Sequence, residues 1–151
     1  VIDYAHTPDA LRKVYETLRG ANKKLICVLG SAGGGRDKWK RKEMGKIASE
    51  FCALIIITNE DPYDENPAGI IDEVALGAEE SARVSPEKAA QTSITKILDR
   101  KEAINRAIQN ARPGDVVIIT GKGVEPWIMG PAGQKIPWDD REIAREALKQ
   151  L

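Results

Sequence analysis

Residues 24–45, KLICVLGSAGGGRDKWKRKEMG, decide how the chain is read. They open on an apolar run, Leu25–Leu29, with the length and composition of a buried strand. A glycine-rich turn follows with Gly30, Gly33, Gly34 and Gly35, then a basic patch of Arg36, Lys38, Lys40, Arg41, Lys42 and Lys46. A strand running through glycines into a helix is how many α/β proteins set backbone N–H groups and cations against an anion. The standard fingerprints are absent. Gly30 and Gly35 have P-loop spacing, but Arg36 and Asp37 stand where Lys-Ser/Thr is needed. Gly33 and Gly35 begin a dinucleotide-type pattern that Lys38 breaks. Spacing alone therefore leaves two readings open: an anion cradle, or a turn followed by a solvated basic helix face.

The next stretches repeat the strand-then-helix rhythm. Residues 53–58, ALIIIT, and 116–120, VVIIT, are continuous apolar runs, as expected of parallel strands covered on both faces. Residues 1–4 read as a short strand, and residues 94–98 as another. Helices are predicted between them. Thr7 and Pro8 start the first, and Met44, Ile47, Ala48 and Phe51 face inward on the second. Asn66 and Pro67 start a third, and Ser85-Pro86-Glu87 a short helical turn. Asp99 with Glu102, and Asp139 with Glu142, form capping boxes for the last two. Residues 130–133 read as a hairpin turn. The expected fold is α/β: a Rossmann-like three-layer domain, a mostly parallel sheet with helices on both faces.

In such a sheet the loops after three strands, 30–42, 59–66 and 121–127, share one edge and converge on one site. The loop at 59–66 is acidic and stiffened by Pro62 and Pro67, and the one at 121–127 sets Lys122 between Gly121 and Gly123. Basic residues at the start of the second helix oppose its dipole unless an anion is near.

Composition narrows the function. The 151 residues fit one domain, and 42% hydrophobic content fits a folded one. Aromatics are 5%, and Lys+Arg and Asp+Glu balance at 23 each, which argues against nucleic acid as a partner. The charge is segregated: eight basic and two acidic residues in 23–46, eight acidic and no basic in 59–80. Such a domain can hold an anionic and a cationic partner side by side. Cys27 and Cys52 read as small core residues of a reducing, cytoplasmic compartment. His6 is the only histidine, so no histidine-rich metal site is expected; lying at a helix start, it reads first as a hydrogen-bonded structural residue. No run reaches transmembrane length. Opening at Val1 in strand-like sequence, the chain reads as a piece of a longer protein.

Taken together, Asp3-Tyr4-Ala5-His6-Thr7-Pro8-Asp9, Gly33 to Lys38 with Lys40, Arg41, Met44 and Gly45, Gly114-Asp115 leading to Gly121-Lys122-Gly123 and Glu125, and Asp140-Arg141-Glu142 resemble the C-terminal domain of the Mur ligases. These ATP-dependent enzymes add amino acids to the peptidoglycan precursor. The resemblance is greatest to the branch adding the third residue of the stem peptide. It implies that ATP, with Mg2+ held mainly by a central domain, phosphorylates the carboxylate of UDP-N-acetylmuramoyl-dipeptide. The incoming amine then attacks the acyl phosphate. It implies that Asp3 and His6 contact the nucleotide, that Arg36 binds the amino acid's carboxylate, and that Gly121 and Glu125 hold its far end. Branches that use meso-diaminopimelate carry Asp-Asn-Pro-Arg in the acidic loop; here Glu60, Asp61, Pro62 and Tyr63 stand there. With the arginine replaced by Tyr63 and a carboxylate added, lysine or ornithine is the expected amino acid, contacted by Glu60, Asp61 and Tyr63. Val124 replaces a histidine of the family pattern. The N-terminal UDP-binding and central ATPase domains have no counterpart here, so the fragment is expected to be inactive, with no catalytic residue of its own. The rest of the same polypeptide is its partner, and no membrane is expected. The competing readings are a nucleotide- or polyanion-binding module and a Rossmann-type oxidoreductase; the broken glycine fingerprint disfavours the second.

Overall fold

Leu25, Cys27 and Leu29 pack into one hydrophobic cluster, and Ile26 and Val28 into another. That is the alternation of a pleated strand buried on both faces. The computed structural model describes residues 1–20, 24–35, 37–84 and 91–151. The chain runs α1 (Pro8–Leu18), β1 (Leu25–Leu29), α2 (Trp39–Phe51), β2 (Leu54–Ile57), α3 (Pro67–Val84), β3 (Ser93–Lys96), α4 (Arg100–Asn110), β4 (Val116–Ile119), β5 (Trp127–Met129), β6 (Lys135–Pro137) and α5 (Asp140–Leu148).

Four strands form a parallel sheet in the order β3-β2-β1-β4, with Cys27 level with Ile55 and Ile118. One face, through Cys27, Ile55, Ile57 and Ile118, packs on α1, α2 and α3. The other, through Ile26, Val28, Ile56 and Ile119, packs on α4 and α5. The three-layer expectation is met. The caps hold as well: Thr7, Asp99 and Asp139 side chains accept from Ala10, Glu102 and Arg141 N–H. Beyond β4, β5 and β6 form a separate antiparallel hairpin turned at Pro131–Gly133. Among the described residues, no helix is long and apolar enough to cross a membrane.

Three expectations need correction. Residues 1–4 supply only a bridge from Ile2 to Ile119 at the β4 edge, flanked by Asp3 N–H donating to Ile119 O at 2.9 Å. The strand expected at 94–98 is β3, shifted towards the N-terminus; Leu98 is exposed. Cys27 and Cys52 are joined to each other, their Cα atoms 6.1 Å apart. Cys27 lies on the face of β1 covered by α1, α2 and α3, and α2 returns the chain so that Cys52, just before β2, reaches the same layer. A separation of 25 residues carries no sign of that return. The helical turn expected at 85–87 lies outside the described residues.

Candidate functional site

The carboxyl ends of β1, β2 and β4 lie on one edge, and the loops leaving them close around a pocket of about 250 Å³. Tyr4, His6, Lys40, Glu60, Tyr63 and Glu125 are among its lining residues, with Gly33, Asp37, Asp61 and Gly121. Of the predicted site residues, His6, Glu60, Asp61, Tyr63, Gly121 and Glu125 are thus brought together. Asp3 does not line the pocket; its carboxylate accepts from Ala5 N–H at 2.7 Å and shapes the turn that carries His6. Arg36 lies outside the described residues.

The loops touch through backbone. Gly33 N–H donates to Asp61 O at 2.7 Å, and a side chain at 33 would run into the Pro62 carbonyl. Gly121 has φ +102°, and a Cβ there would strike the Glu60 carboxylate. Gly33 is therefore required by the close approach of backbone, and Gly121 first by its left-handed φ.

At the centre stands Lys122, which is 1% exposed. Its Nζ donates to both Asp61 oxygens and to Glu125 Oε2, all at 2.8 Å. Asp61 Oδ1 also accepts from Met129 N–H at 2.8 Å, and the Tyr4 hydroxyl donates to Glu125 Oε1 at 3.1 Å. Burial alone would lower the Lys122 ammonium, but the hydrogen bonds to Asp61 and Glu125 outweigh it and hold the group above the ordinary lysine range. A raised lysine contributes stability below its unfolded value and loses it only as pH climbs past about 10. Lys122 is charged at neutral pH and fixes two walls of the pocket.

Glu60 is 4% exposed, and its Oε2 has no hydrogen-bond partner. Burial pushes its carboxyl up; the charges of Arg100, Lys122 and Lys40 offset part of that, and Asp61 adds to it. For a carboxyl raised by burial, folding is favoured below the ordinary glutamate value and weakened as pH rises. Glu60→Gln, which imitates the protonated form, is expected to unfold at a higher temperature than the parent at pH 8. The gap should close towards about pH 4. A variant less stable at every pH would show that the carboxylate is held by favourable contacts instead.

The charge segregation resolves differently from the expectation of two partners. Gly35 N–H donates to Glu65 Oε1 at 2.6 Å, and Arg41, 1% exposed, reaches both Glu65 oxygens (3.2 and 3.1 Å) and Glu73 (3.1 Å). Lys38 lies 3.3 Å from Glu65, and Lys42 lies 3.4 Å from Glu80. The anion at the glycine turn is the protein's own. Its carboxyl sits below the usual range, held first by the Gly35 amide, then by Arg41 and Lys38. The acidic loop likewise offers less free charge than its composition implies, because Lys122 neutralises Asp61. The basis for a lysine or ornithine preference goes with it.

His6 Nδ1 donates to Tyr4 O at 2.9 Å and its ring lies 4.6 Å from that of Tyr4, so Nε2 is left to meet a ligand. A second ion pair supports the edge from behind. Arg100 and Asp140 meet at 2.9 and 2.8 Å, both about 1 to 2% exposed. Arg100 also donates to the carbonyls of Asn59 (3.1 Å) and Thr120 (2.9 Å), the residues just before Glu60 and Gly121. Sequence reasoning assigned no role to Arg100 or Lys122; the only signal was a lysine flanked by glycines at a strand end. A larger apolar groove of about 430 Å³, along Ile2, Val117 and Leu148, includes none of the three loops.

The family model for the Mur ligase glutamate ligase domain matches residues 1–123. The chain belongs to the Mur ligase family. The chain is 44% identical to the UDP-N-acetylmuramoyl-L-alanyl-D-glutamate–2,6-diaminopimelate ligase of Nitrosomonas europaea, over 100% of its own length and 29% of that protein. It is 43% identical to the UDP-N-acetylmuramyl-tripeptide synthetase of a Roseiflexus species, over 100% of its length and 28% of that protein. A solved structure of a UDP-N-acetylmuramoyl-L-alanyl-D-glutamate–2,6-diaminopimelate ligase superposes with a TM-score of 0.85 at 34% identity, covering 99% of this chain and 29% of that one. The chain spans less than a third of each of these relatives.

Proposed function

We propose that this chain is the amino-acid-binding domain of a longer ATP-dependent ligase that adds diaminopimelate to UDP-N-acetylmuramoyl-L-alanyl-D-glutamate. The observation that carries the reading is the single pocket uniting Glu60, Asp61, Tyr63, Gly121 and Glu125 with His6. Diaminopimelate replaces lysine and ornithine because Asp61 is occupied by Lys122 and because two of the three relatives above, the Nitrosomonas ligase and the solved structure, bear diaminopimelate in their names.

In this reading ATP supplies the activation: its terminal phosphoryl group passes to the acceptor carboxylate to give an acyl phosphate, and ADP leaves. The amine of diaminopimelate forms the amide bond, phosphate leaves, and the amine's proton passes to solvent. The work of this chain is placement. Arg36 takes a carboxylate of the amino acid as a bidentate partner. Glu125, fixed by Tyr4 and Lys122, accepts from an ammonium group, and Glu60 lines the same wall. His6 meets the nucleotide through Nε2, with Asp3 shaping its turn. Mg2+ is held mainly by the rest of the polypeptide in this reading, as the resemblance implies; among the described residues no three His, Cys, Asp or Glu side chains group as metal ligands.

The test follows phosphate release by the full-length ligase with UDP-N-acetylmuramoyl-L-alanyl-D-glutamate. Diaminopimelate, lysine, ornithine and alanine are added separately. Turnover with diaminopimelate, lost in Arg36→Ala and absent from the isolated chain, is expected. Turnover confined to lysine or ornithine would overturn the substrate. No amino-acid-dependent turnover would favour a polyanion-binding module, whose binding would weaken steeply with salt.

A further inference from the structure

The two loops that face each other across the pocket are tied together by a carboxylate that lies outside it. Ala32, Gly33, Asp37 and Lys40 line one wall and Asp61 and Tyr63 the other, whereas Glu65 does not line the pocket. Glu65 closes a tight turn on the acidic loop: its N–H donates to Pro62 O at 3.0 Å, and Tyr63 within the turn has φ +51°. From that base its carboxylate reaches into the glycine turn, where Gly34, Gly35 and Asp37 have φ of +78°, +74° and +52°. It accepts from Gly35 N–H and from Arg41 and lies beside Lys38, and the same Arg41 donates to Ala32 O at 3.2 Å. Left-handed residues keep such a turn out of any helix or strand ladder, so its shape depends on what its polar groups are bonded to. Arg41 has a second carboxylate, Glu73, which stands on α3 and does not line the pocket either.

We propose that Glu65 is a positioning residue: an internal anion, seated where the glycine turn would otherwise take one from solution, that fixes the two pocket walls relative to each other and so sets their grip on the amino acid. This rests on the reading of the pocket as the amino-acid site and adds to it a residue that touches no substrate. The chemistry makes the role separable from simple bulk. Removing the side chain leaves an amide N–H, a guanidinium and an ammonium directed at one vacated place. A small carboxylate from solution can refill it through charge-assisted hydrogen bonds. Arg41 keeps Glu73 and the Ala32 carbonyl in such a variant, so its buried charge is not stranded.

The experiment uses the full-length ligase and the variants Glu65→Ala, Glu65→Gln and Glu73→Gln. The kcat/KM for diaminopimelate, the KM for ATP and the melting temperature are measured with and without added acetate at constant ionic strength. Glu65→Ala is expected to lower kcat/KM for diaminopimelate about 10- to 100-fold, the scale of a small misplacement of orienting groups, with the KM for ATP little changed. Glu65→Gln, which keeps the shape and loses the charge, should fall between Glu65→Ala and the parent. Acetate should recover about fivefold or more of the loss in Glu65→Ala and leave the parent and Glu73→Gln unaffected. Glu73→Gln takes the other carboxylate from Arg41, so it should lower the melting temperature while kcat/KM stays close to the parent's. A Glu65→Ala enzyme as active as the parent would overturn the proposal, because the turn would then hold itself. An equal loss in Glu73→Gln would overturn it in favour of a general effect of unpairing Arg41. Loss without recovery in acetate would overturn it as well, since the vacated anion would not be the cause. A parent that uses lysine and not diaminopimelate would overturn the substrate reading alone, and the same variants measured with lysine would still decide the role of Glu65.

Discussion

Arg100→Met should lower the melting temperature of the domain by about 10 °C. Arg100 and Asp140 are almost fully buried, and the guanidinium grips the carboxylate through two nitrogens. Removing the arginine leaves Asp140 charged and enclosed, with the Trp138 indole N–H at 2.7 Å as its one remaining side-chain donor among the described residues. Breaking a buried pair in this way costs about 3–5 kcal/mol. For a domain of this size each kcal/mol moves the midpoint about 2–4 °C. Two carbonyls, of Asn59 and Thr120, also lose a donor. The double variant Arg100→Met/Asp140→Leu should be more stable than Arg100→Met alone, because it removes the stranded charge. Arg100→Lys should fall between parent and Arg100→Met, since an ammonium cannot reproduce the fork. Thermal unfolding of the four proteins decides the matter. A drop below about 2 °C for Arg100→Met would mean that water reaches Asp140 and solvates it.

That pair also marks where the sequence stops being readable. The strands were legible because β1, β2 and β4 are covered on both faces and must be apolar throughout. The caps were legible because Thr7, Asp99 and Asp139 act on amides only two or three residues away. Convergence of Glu60, Tyr63, Gly121 and Glu125 followed from parallel strands sharing an edge. Buried charge was not legible. Arg41, Arg100 and Lys122 look like surface residues in a string of letters. Their partners Glu65, Asp140 and Asp61 are 24 to 61 positions away, and only the fold decides whether a cation faces water or a carboxylate.

The same limit explains why composition alone pointed to lysine or ornithine. Composition counts charges, whereas a ligand meets only those left over after the protein has paired its own. Of the basic patch, Lys38, Arg41 and Lys42 are committed to glutamates; of the acidic loop, Asp61 and Glu65 are committed to cations. What remains at the pocket, among the described residues, is Lys40, with Asp37 and Glu60, whose Oε2 has no hydrogen-bond partner. A cation and carboxylates in one small space fit an amino acid that carries both signs better than one recognised by its ammonium alone.

Lys122→Met tests how far the pocket depends on that internal pairing. The change keeps the side chain out to the ε position and removes the ammonium that bridges Asp61 and Glu125. Asp61 is 9% exposed and would hold its charge with only the Met129 N–H as a close donor, whereas Glu125 can turn into water. The two walls should therefore part, the acidic loop shifting against Gly33 and Tyr4 losing its acceptor. A misplacement of about 1 Å in groups that orient a reactant is enough to cost about 100-fold in rate. The expected result in the full-length ligase is a loss of that size or more in kcat/KM for the amino acid, with the KM for ATP little changed. Asp61→Asn placed on Lys122→Met removes the uncompensated carboxylate, so it should restore stability without restoring turnover. If instead the double variant regained full activity, Lys122 would serve only to neutralise Asp61. The position of Glu125 would then be set by Tyr4 and the loop backbone alone.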